Sequence, residues 1–141
     1  MLFPKKVKHR KWQTQRKSEA RLKRPDTRGI TIAFGSHALK AISPARLTSN
    51  QIESARKVLT RATVKGGKLW IRVFPDRPIT AKPAEVGMGS GKGDLKHFVF
   101  EIRPGRVLFE LDGVSDASAR EHLRQAGMKL PMRTAVVTRA S

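Results

Sequence analysis

The feature that most constrains the fold is a proline- and glycine-rich stretch in the second half of the chain, residues 75–96. Three prolines open it and four glycines follow: Pro75, Pro78, Pro83, Gly87, Gly89, Gly91 and Gly93. Proline lacks the backbone N–H, and glycine loses the most conformational entropy on ordering, so neither a regular helix nor a central strand is expected there. Because long loops in compact domains are usually functional or disordered, we predict a protruding loop that presents basic residues to nucleic acid: Arg77, Lys82, Lys92 and Lys96.

The charge balance indicates a polyanionic partner. The 141 residues include 30 Lys and Arg against 11 Asp and Glu, a net charge of +19. A like-charge surplus of this size weakens the compact state. Phosphate contacts would remove the repulsion and release counterions; a membrane surface is the alternative polyanion. No apolar run reaches the roughly 18 to 20 residues of a membrane span, and the lack of cysteine excludes disulfides and thiolate metal sites.

Residues 1–28 are predicted to be a basic, extended tail that its partner orders, because they are rich in charge and poor in aliphatic side chains. The pattern leaves two interpretations of Trp12 open: it stacks on a base or sugar, or it folds back onto the domain. We expect residues 29–141 to form a single RNA-binding domain. The tail candidates for phosphate contact are Lys5, Lys6, Lys8, Arg10, Lys11, Arg16 and Lys17.

Two amphipathic helices are predicted in that domain. Thr48–Lys65 begins with a capping box in which Gln51 follows the N-cap Thr48 by three residues. Ser115–Leu130 begins at the N-cap Ser115 and is stopped by the proline that follows it. Each helix has one apolar face, and that face is expected to be core.

Three basic residues recur at four-residue spacing on the first helix: Lys57, Arg61 and Lys65. Like charges so placed weaken an isolated helix by roughly 0.2 to 0.5 kcal/mol per pair. Two interpretations remain open, an ordinary solvated face or a stripe that faces phosphates and turns the repulsion into attraction.

Short apolar and β-branched runs predict strands at 30–34, 38–42, 69–74, 97–102, 107–111 and 134–138. A Pro-Gly turn at 104–105 predicts that residues 97–111 form one antiparallel hairpin. Trp70, inside the third run, is expected in the core, and its neighbour Arg72 is a candidate for rRNA contact. The fold class expected is α+β, with two helices packed on a mostly antiparallel sheet.

No catalytic constellation is recognisable in the sequence. The glycine-rich stretch fails the phosphate-loop pattern, because Val86 stands where its first glycine must be and Gly93 where its hydroxyl must be. Ser90 lacks the flanking glycines of a nucleophile elbow, and the four histidines show no metal-ligand spacing. We expect Glu85 and Asp94 to be solvated loop carboxylates rather than an acid/base pair. We therefore expect no enzyme activity, no metal and no cofactor.

Six stretches carry a resemblance to a known family: MLFPKKVKHRK at 1–11, FGSHALKA at 34–41, LTSNQIESARKVLTRA at 47–62, KLWIRVFPDRPITAKP at 68–83, MGSGKG at 88–93 and RPGRVLFELDGV at 103–114. Together they resemble bacterial large-subunit ribosomal protein sixteen. The resemblance implies a hammerhead-type α+β fold, binding to large-subunit (23S-type) rRNA near the peptidyl-transferase centre, and entry late in subunit assembly. It also implies a loop near the A- and P-site tRNAs, formed by Lys82, Met88, Gly89, Gly91, Lys92 and Gly93.

The partners implied by the resemblance are large-subunit rRNA, A- and P-site tRNA and neighbouring ribosomal proteins, with no membrane and no small-molecule substrate. The location implied is the ribosome of the bacterial cytoplasm, or of an organelle, and a cleaved transit peptide is not expected. Two departures stand out. Gly87 occupies the place of an arginine that is common in the family, and the segment from Trp12 to Arg28 is longer than the usual tail.

These observations favour a structural RNA-binding protein. Two other classes of protein fit part of the pattern. A nucleoid-type DNA-binding protein would have the same charge, and a competition between rRNA fragments and duplex DNA would separate the two. An RNA-modifying enzyme would need a cofactor pocket, for which the sequence gives no motif.

Overall fold

The computed structural model describes residues 2–12, 18–85, 87, 89 and 91–139. Its helices are α1 (Glu19–Leu22), α2 (Ser49–Ala62) and α3 (Asp116–Gly127). Its strands are β1 (His37–Ala41), β2 (Ala45–Thr48), β3 (Lys68–Ile71), β4 (Arg77–Ala81), β5 (Asp94–Ile102), β6 (Val107–Asp112) and β7 (Thr134–Thr138). The chain is therefore α+β, as predicted. Within the described ranges, no helix has the length and apolar composition needed to span a membrane.

The strands form two antiparallel sheets rather than one. The first has the order β3-β6-β1-β7 and the second the order β2-β5-β4. The predicted hairpin over 97–111 is wrong, because β5 pairs with β2 and β4 whereas β6 pairs with β1 and β3. The turn between them bonds to distant segments instead: Gly105 N–H donates to Ala41 O (2.8 Å) and Val107 N–H to Gly29 O (2.7 Å). These bonds redirect the chain from one sheet to the other.

A single apolar cluster joins both sheets to the two long helices. Helices α2 and α3 contact each other, and α3 also lies against β1 and β7. The buried members include Leu39, Phe109 and Leu111 of the first sheet, Leu47 and Ile102 of the second, Ile52 and Leu59 of α2, and Leu123 of α3. Burial of these side chains is the main force that holds the two sheets together.

The predicted helix starts are confirmed. Gln51 N–H donates to Thr48 Oγ1 (3.4 Å) and Thr48 N–H donates to Gln51 Oε1 (3.0 Å), which completes the capping box. Ser115 Oγ accepts from Ser118 N–H (3.3 Å) at the start of α3. Both helices end earlier than predicted, α2 at Ala62 and α3 at Gly127, and each is followed by a turn.

The predicted strand at 30–34 is wrong. Two of its backbone N–H groups bond to a side chain instead of a neighbouring strand: Ala33 N–H donates to Glu110 Oε1 (2.7 Å) and Phe34 N–H to Glu110 Oε2 (2.9 Å). Strand β2, which pairs with β5, was not predicted, and β3 ends at Ile71 rather than at residue 74.

The prediction of one uninterrupted loop over 75–96 is also wrong. Strand β4 lies inside it and β5 already begins at Asp94. Pro78 is tolerated because β4 is an edge strand of its sheet. What remains between the strands, residues 82–93, is called the glycine-rich loop below; Val86, Met88 and Ser90 within it lie outside the described residues.

The first residues of the chain are fastened to the domain. Leu2 N–H donates to Ser49 Oγ (2.8 Å), and the Leu2 side chain packs against the core. Further on, α1 is a single helical turn within the predicted extended tail.

Candidate nucleic-acid interface

The basic residues predicted in the tail face solvent where the structure describes them. Lys5, Lys6, Lys8 and Arg10 are exposed and Lys11 is half-buried. The predictions for Arg16 and Lys17 lie outside the described residues. The described part of the tail thus presents a run of cations without burying them.

Trp12 contacts the protein itself, which favours the fold-back interpretation. The Arg77 guanidinium lies over its ring, 5.8 Å from the centroid, and Lys92 Nζ donates to its carbonyl oxygen. A cation over an indole face is electrostatically attractive. Arg77, which we expected on a loop facing nucleic acid, is instead buried in β4 and pairs with Glu101 (Nη1 to Oε1, 2.8 Å).

The basic stripe of the first helix is only partly helical. Lys57 and Arg61 are exposed on α2, whereas Lys65 is exposed in the turn that follows the helix. Arg56 rather than Lys57 pairs with Glu53 and, chiefly through its hydrogen bond, lowers the pKa of that carboxyl. Within the ranges that the structure covers, Lys57, Arg61 and Lys65 form no ion pair.

Arg72 is engaged inside the protein. Its Nη1 lies 3.0 Å from Oε1 of the fully buried Glu110 and donates to Thr31 O (3.2 Å), and its guanidinium lies 5.5 Å from the centre of the Phe34 ring. Phe34 in turn stacks on Trp70, with centroids 5.9 Å apart. Arg72 therefore holds the 30–34 segment against the first sheet, and its contact with rRNA stays a prediction.

The glycine-rich loop has an open backbone. Gly89 and Gly91 have positive φ angles (102° and 96°), and a Cβ at either would meet nothing within 4 Å. Gly93 differs, because a Cβ there would lie 2.6 Å from Ala81 O, so glycine lets the two ends of the loop approach each other. Lys82 Nζ donates to Gly89 O across the loop. Met88 lies outside the described residues.

Helix α3 neutralises its own cations. Arg120 and Arg124 pair with Asp116 (3.0 Å) and Glu121 (2.9 Å). The pKa of Asp116 is lowered first by its hydrogen bond to His37 Nε2, 2.8 Å away, and then by Arg120. The pKa of Glu121 is lowered chiefly by its hydrogen bond from Arg124. This face is accordingly less suited to phosphate than α2.

Two positions that hold irregular segments in place were not predicted from the sequence. Glu110 organises the 30–34 segment, and the signal for it was a carboxylate inside an otherwise apolar strand, since buried acids are rarely unpaired. Arg106 fastens the tail: its Nη1 donates to Arg28 O (3.1 Å) and lies 3.5 Å from Asp26 Oδ2, while its guanidinium lies over the Phe100 ring. No local pattern marks that role.

A metal centre finds no support in the described part of the chain, where no group of three or more His, Asp or Glu side chains is arranged to hold an ion.

Comparison with known protein families gives a match over nearly the whole chain. Residues 4–137 fit the family model described as ribosomal protein L16p/L10e.

Proposed function

This chain belongs to the ribosomal protein L16p/L10e family, a structural family of the large ribosomal subunit whose partners are rRNA and other ribosomal proteins, and we propose that its tail and α2 bind large-subunit rRNA while its glycine-rich loop lies near the A- and P-site tRNAs. In this proposal residues 1–28 act as a basic arm and residues 29–141 as one RNA-binding domain. The chain contributes binding and shape rather than catalysis.

The observation that carries the proposal is that arginines within the fold pair with many of the acidic residues, while other cations of the described segments have no acidic partner. Several of the few carboxylates are taken up by arginines within the fold: Asp26 by Arg106, Glu53 by Arg56, Glu101 by Arg77, Glu110 by Arg72, Asp116 by Arg120 and Glu121 by Arg124. Exposed cations that form no ion pair within the described residues include Lys57 and Arg61 on α2 and several lysines of the tail. Phosphate is the partner that would compensate them, with release of counterions.

Shape would supply most of the specificity, because structured RNA is recognised largely through its form and backbone. The open backbone at Gly89 and Gly91 suits the glycine-rich loop to a close approach. Lys82 and Lys92 would exchange their contacts with carbonyl oxygens for phosphates. The arginine that is common in the family at this place is Gly87 here, so the chain has no arginine side chain at that position to contact tRNA.

The test compares two double variants that lose the same charge. We expect Lys57→Ala with Arg61→Ala to lower the magnitude of the salt slope of log affinity for a large-subunit rRNA fragment by roughly 1.4 to 1.8, for two lost phosphate contacts. Arg120→Ala with Arg124→Ala should change the slope little, because both arginines are already paired. Fluorescence anisotropy across a potassium chloride series measures both slopes.

Equal slopes for the two double variants would remove α2 from the interface. A second comparison addresses the alternative partner: at matched salt, the rRNA fragment should displace duplex DNA of equal length. If the duplex competes as well as the rRNA fragment, the nucleoid-type alternative replaces this proposal.

A further inference from the structure

A cavity of about 390 Å³ lies where α1 covers the end of the β2–β5 pairing. Four arginines line it: Arg21 and Arg24 from the tail, Arg46 from β2 and Arg103 just after β5. Between them, Leu22 and Pro44 add apolar surface. The volume falls within the range of small-ligand sites, and the mixture of cations and apolar surface fits an organic phosphate better than a simple ion.

The cavity is cationic despite one acid at its edge. Glu101 also lines it, but its Oε1 lies 2.8 Å from Arg77 Nη1 and 3.7 Å from Arg46 Nη2. Arg21, Arg24 and Arg103 are exposed, and in the covered ranges none of them forms an ion pair. Several guanidinium groups therefore remain available to an anion, and arginine presents a planar fork that matches phosphate oxygens.

The segment that follows α1 is bonded to the domain. Asp26 N–H donates to Pro104 O (2.9 Å), and the Asp26 carboxylate lies 3.5 Å from Arg106 Nη1. The same arginine donates to Arg28 O (3.1 Å), and Gly29 O accepts from Val107 N–H (2.7 Å). These bonds attach residues 26–29 beside the end of β5, directly after the part of the tail that lines the cavity.

We propose that this cavity binds one unpaired nucleotide of the large-subunit rRNA, with its phosphate on the arginines and its base against Leu22 and Pro44. The identity of the RNA rests on the proposed function; the phosphate-and-base chemistry rests on the cavity itself. Unpaired bases are commonly splayed out of RNA and stacked on aromatic rings or arginine guanidinium planes, and here the guanidinium groups would serve, with Leu22 and Pro44 beside them. Only an unpaired nucleotide can present its base to Leu22 and Pro44, so we expect the cavity to select loops and bulges over duplex.

The experiment uses the full chain and an rRNA fragment in which a single unpaired base is removed at each candidate position in turn. At one position the intact fragment should bind about fivefold more tightly than the abasic one, which is the lower end of the range for one base stacked on an aromatic ring. Arg46→Ala with Arg103→Ala should abolish the difference, and so should Leu22→Ser, which removes apolar surface and leaves the charge of the cavity unchanged. Arg120→Ala with Arg124→Ala is the control of equal charge and should retain it.

Three outcomes overturn the proposal. If no abasic position weakens binding while salt-dependent binding to the fragment persists, the cavity proposal fails alone and the proposed function stands. If the fragment does not bind in a salt-dependent manner at all, both fail. A third arm titrates uridine and adenosine monophosphate: binding of the free nucleotide that the rRNA fragment cannot displace would assign the cavity to a free nucleotide and also overturn the proposal.

Discussion

Two segments without strand structure, residues 26–36 and the glycine-rich loop at 82–93, are held in opposite ways. The first is bonded to the domain through Glu110, Arg106 and the backbone of the turn at 104–107. The second closes mainly on itself and on the tail, through lysine side chains that donate to the carbonyl oxygens of Gly89 and Trp12.

The difference shows that irregular backbone serves two purposes in this protein. A buried carboxylate that accepts two backbone N–H groups makes residues 26–36 part of the scaffold, at the cost of a charge that must stay paired. The glycine-rich loop has open space at Gly87, Gly89 and Gly91, where a Cβ would meet nothing within 4 Å. Variants that act on one segment should leave the other unaffected.

The largest effect is expected for Glu110→Ala. This change removes the acceptor of the Ala33 and Phe34 N–H groups and leaves the half-buried Arg72 without its carboxylate. We expect a loss of about 3 kcal/mol in the free energy of unfolding, measured by urea denaturation at neutral pH. Adding Arg72→Met to Glu110→Ala should recover part of the lost free energy of unfolding, because it removes the unpaired guanidinium charge.

The matched control for that prediction is Glu121→Ala, which breaks an exposed ion pair on α3 and should leave the denaturation midpoint unchanged. If Glu110→Ala unfolds at the same urea concentration as Glu121→Ala, the Glu110 carboxylate does not hold residues 26–36 against the domain.

A smaller effect is expected for Gly35→Ala, and Gly87→Ala provides a control with the same chemistry in the other segment. A Cβ at position 35 would lie 2.4 Å from Leu111 O, so β1 or β6 must shift. A Cβ at position 87 meets nothing within 4 Å. We expect a loss of about 1 to 3 kcal/mol for Gly35→Ala and a change within about 0.5 kcal/mol for Gly87→Ala. Thermal and urea unfolding of both variants measure the contrast, and equal stabilities would contradict it.

The smallest effect on stability is expected for Lys82→Ala with Lys92→Ala, within about 0.5 kcal/mol, because both side chains contact exposed backbone. Its effect should instead appear in tRNA binding to large subunits reconstituted with the variant, where two lost phosphate contacts lower the salt slope by roughly 1.4 to 1.8. The control is Lys129→Ala with Arg133→Ala, which removes the same charge from the residues that follow α3. It should leave the salt slope of tRNA binding unchanged. A loss of stability without a change in slope would assign these lysines to the scaffold.

Local signals in the sequence predicted much of the fold. The Thr48–Gln51 capping box, the Ser115 cap and the strands near 38–42 and 134–138 depend on neighbouring residues, and the structure confirms them. The pairing of strands could not be predicted in this way. The turn at 104–105 looks like the tip of a hairpin, but its hydrogen bonds go to Ala41 and Gly29, far away in the chain.

In the candidate interface, too, local features could be predicted from the sequence and long-range contacts could not. The exposure of Lys57 and Arg61 follows from the period of an amphipathic helix, so the sequence was sufficient. The internal engagement of Arg72 depends on Glu110, 38 positions away, and the run at 30–34 failed as a strand because that same carboxylate took its N–H groups. Long-range partners of single charged side chains leave no periodic signal in the sequence.

The proline in β4 affects how the open edge of the second sheet can pair. β4 is the outer strand of the second sheet, and a bare outer strand is a template on which another polypeptide can add itself. Pro78 removes one N–H from that strand. We therefore expect Pro78 to make this edge a poorer template for a strand from another polypeptide.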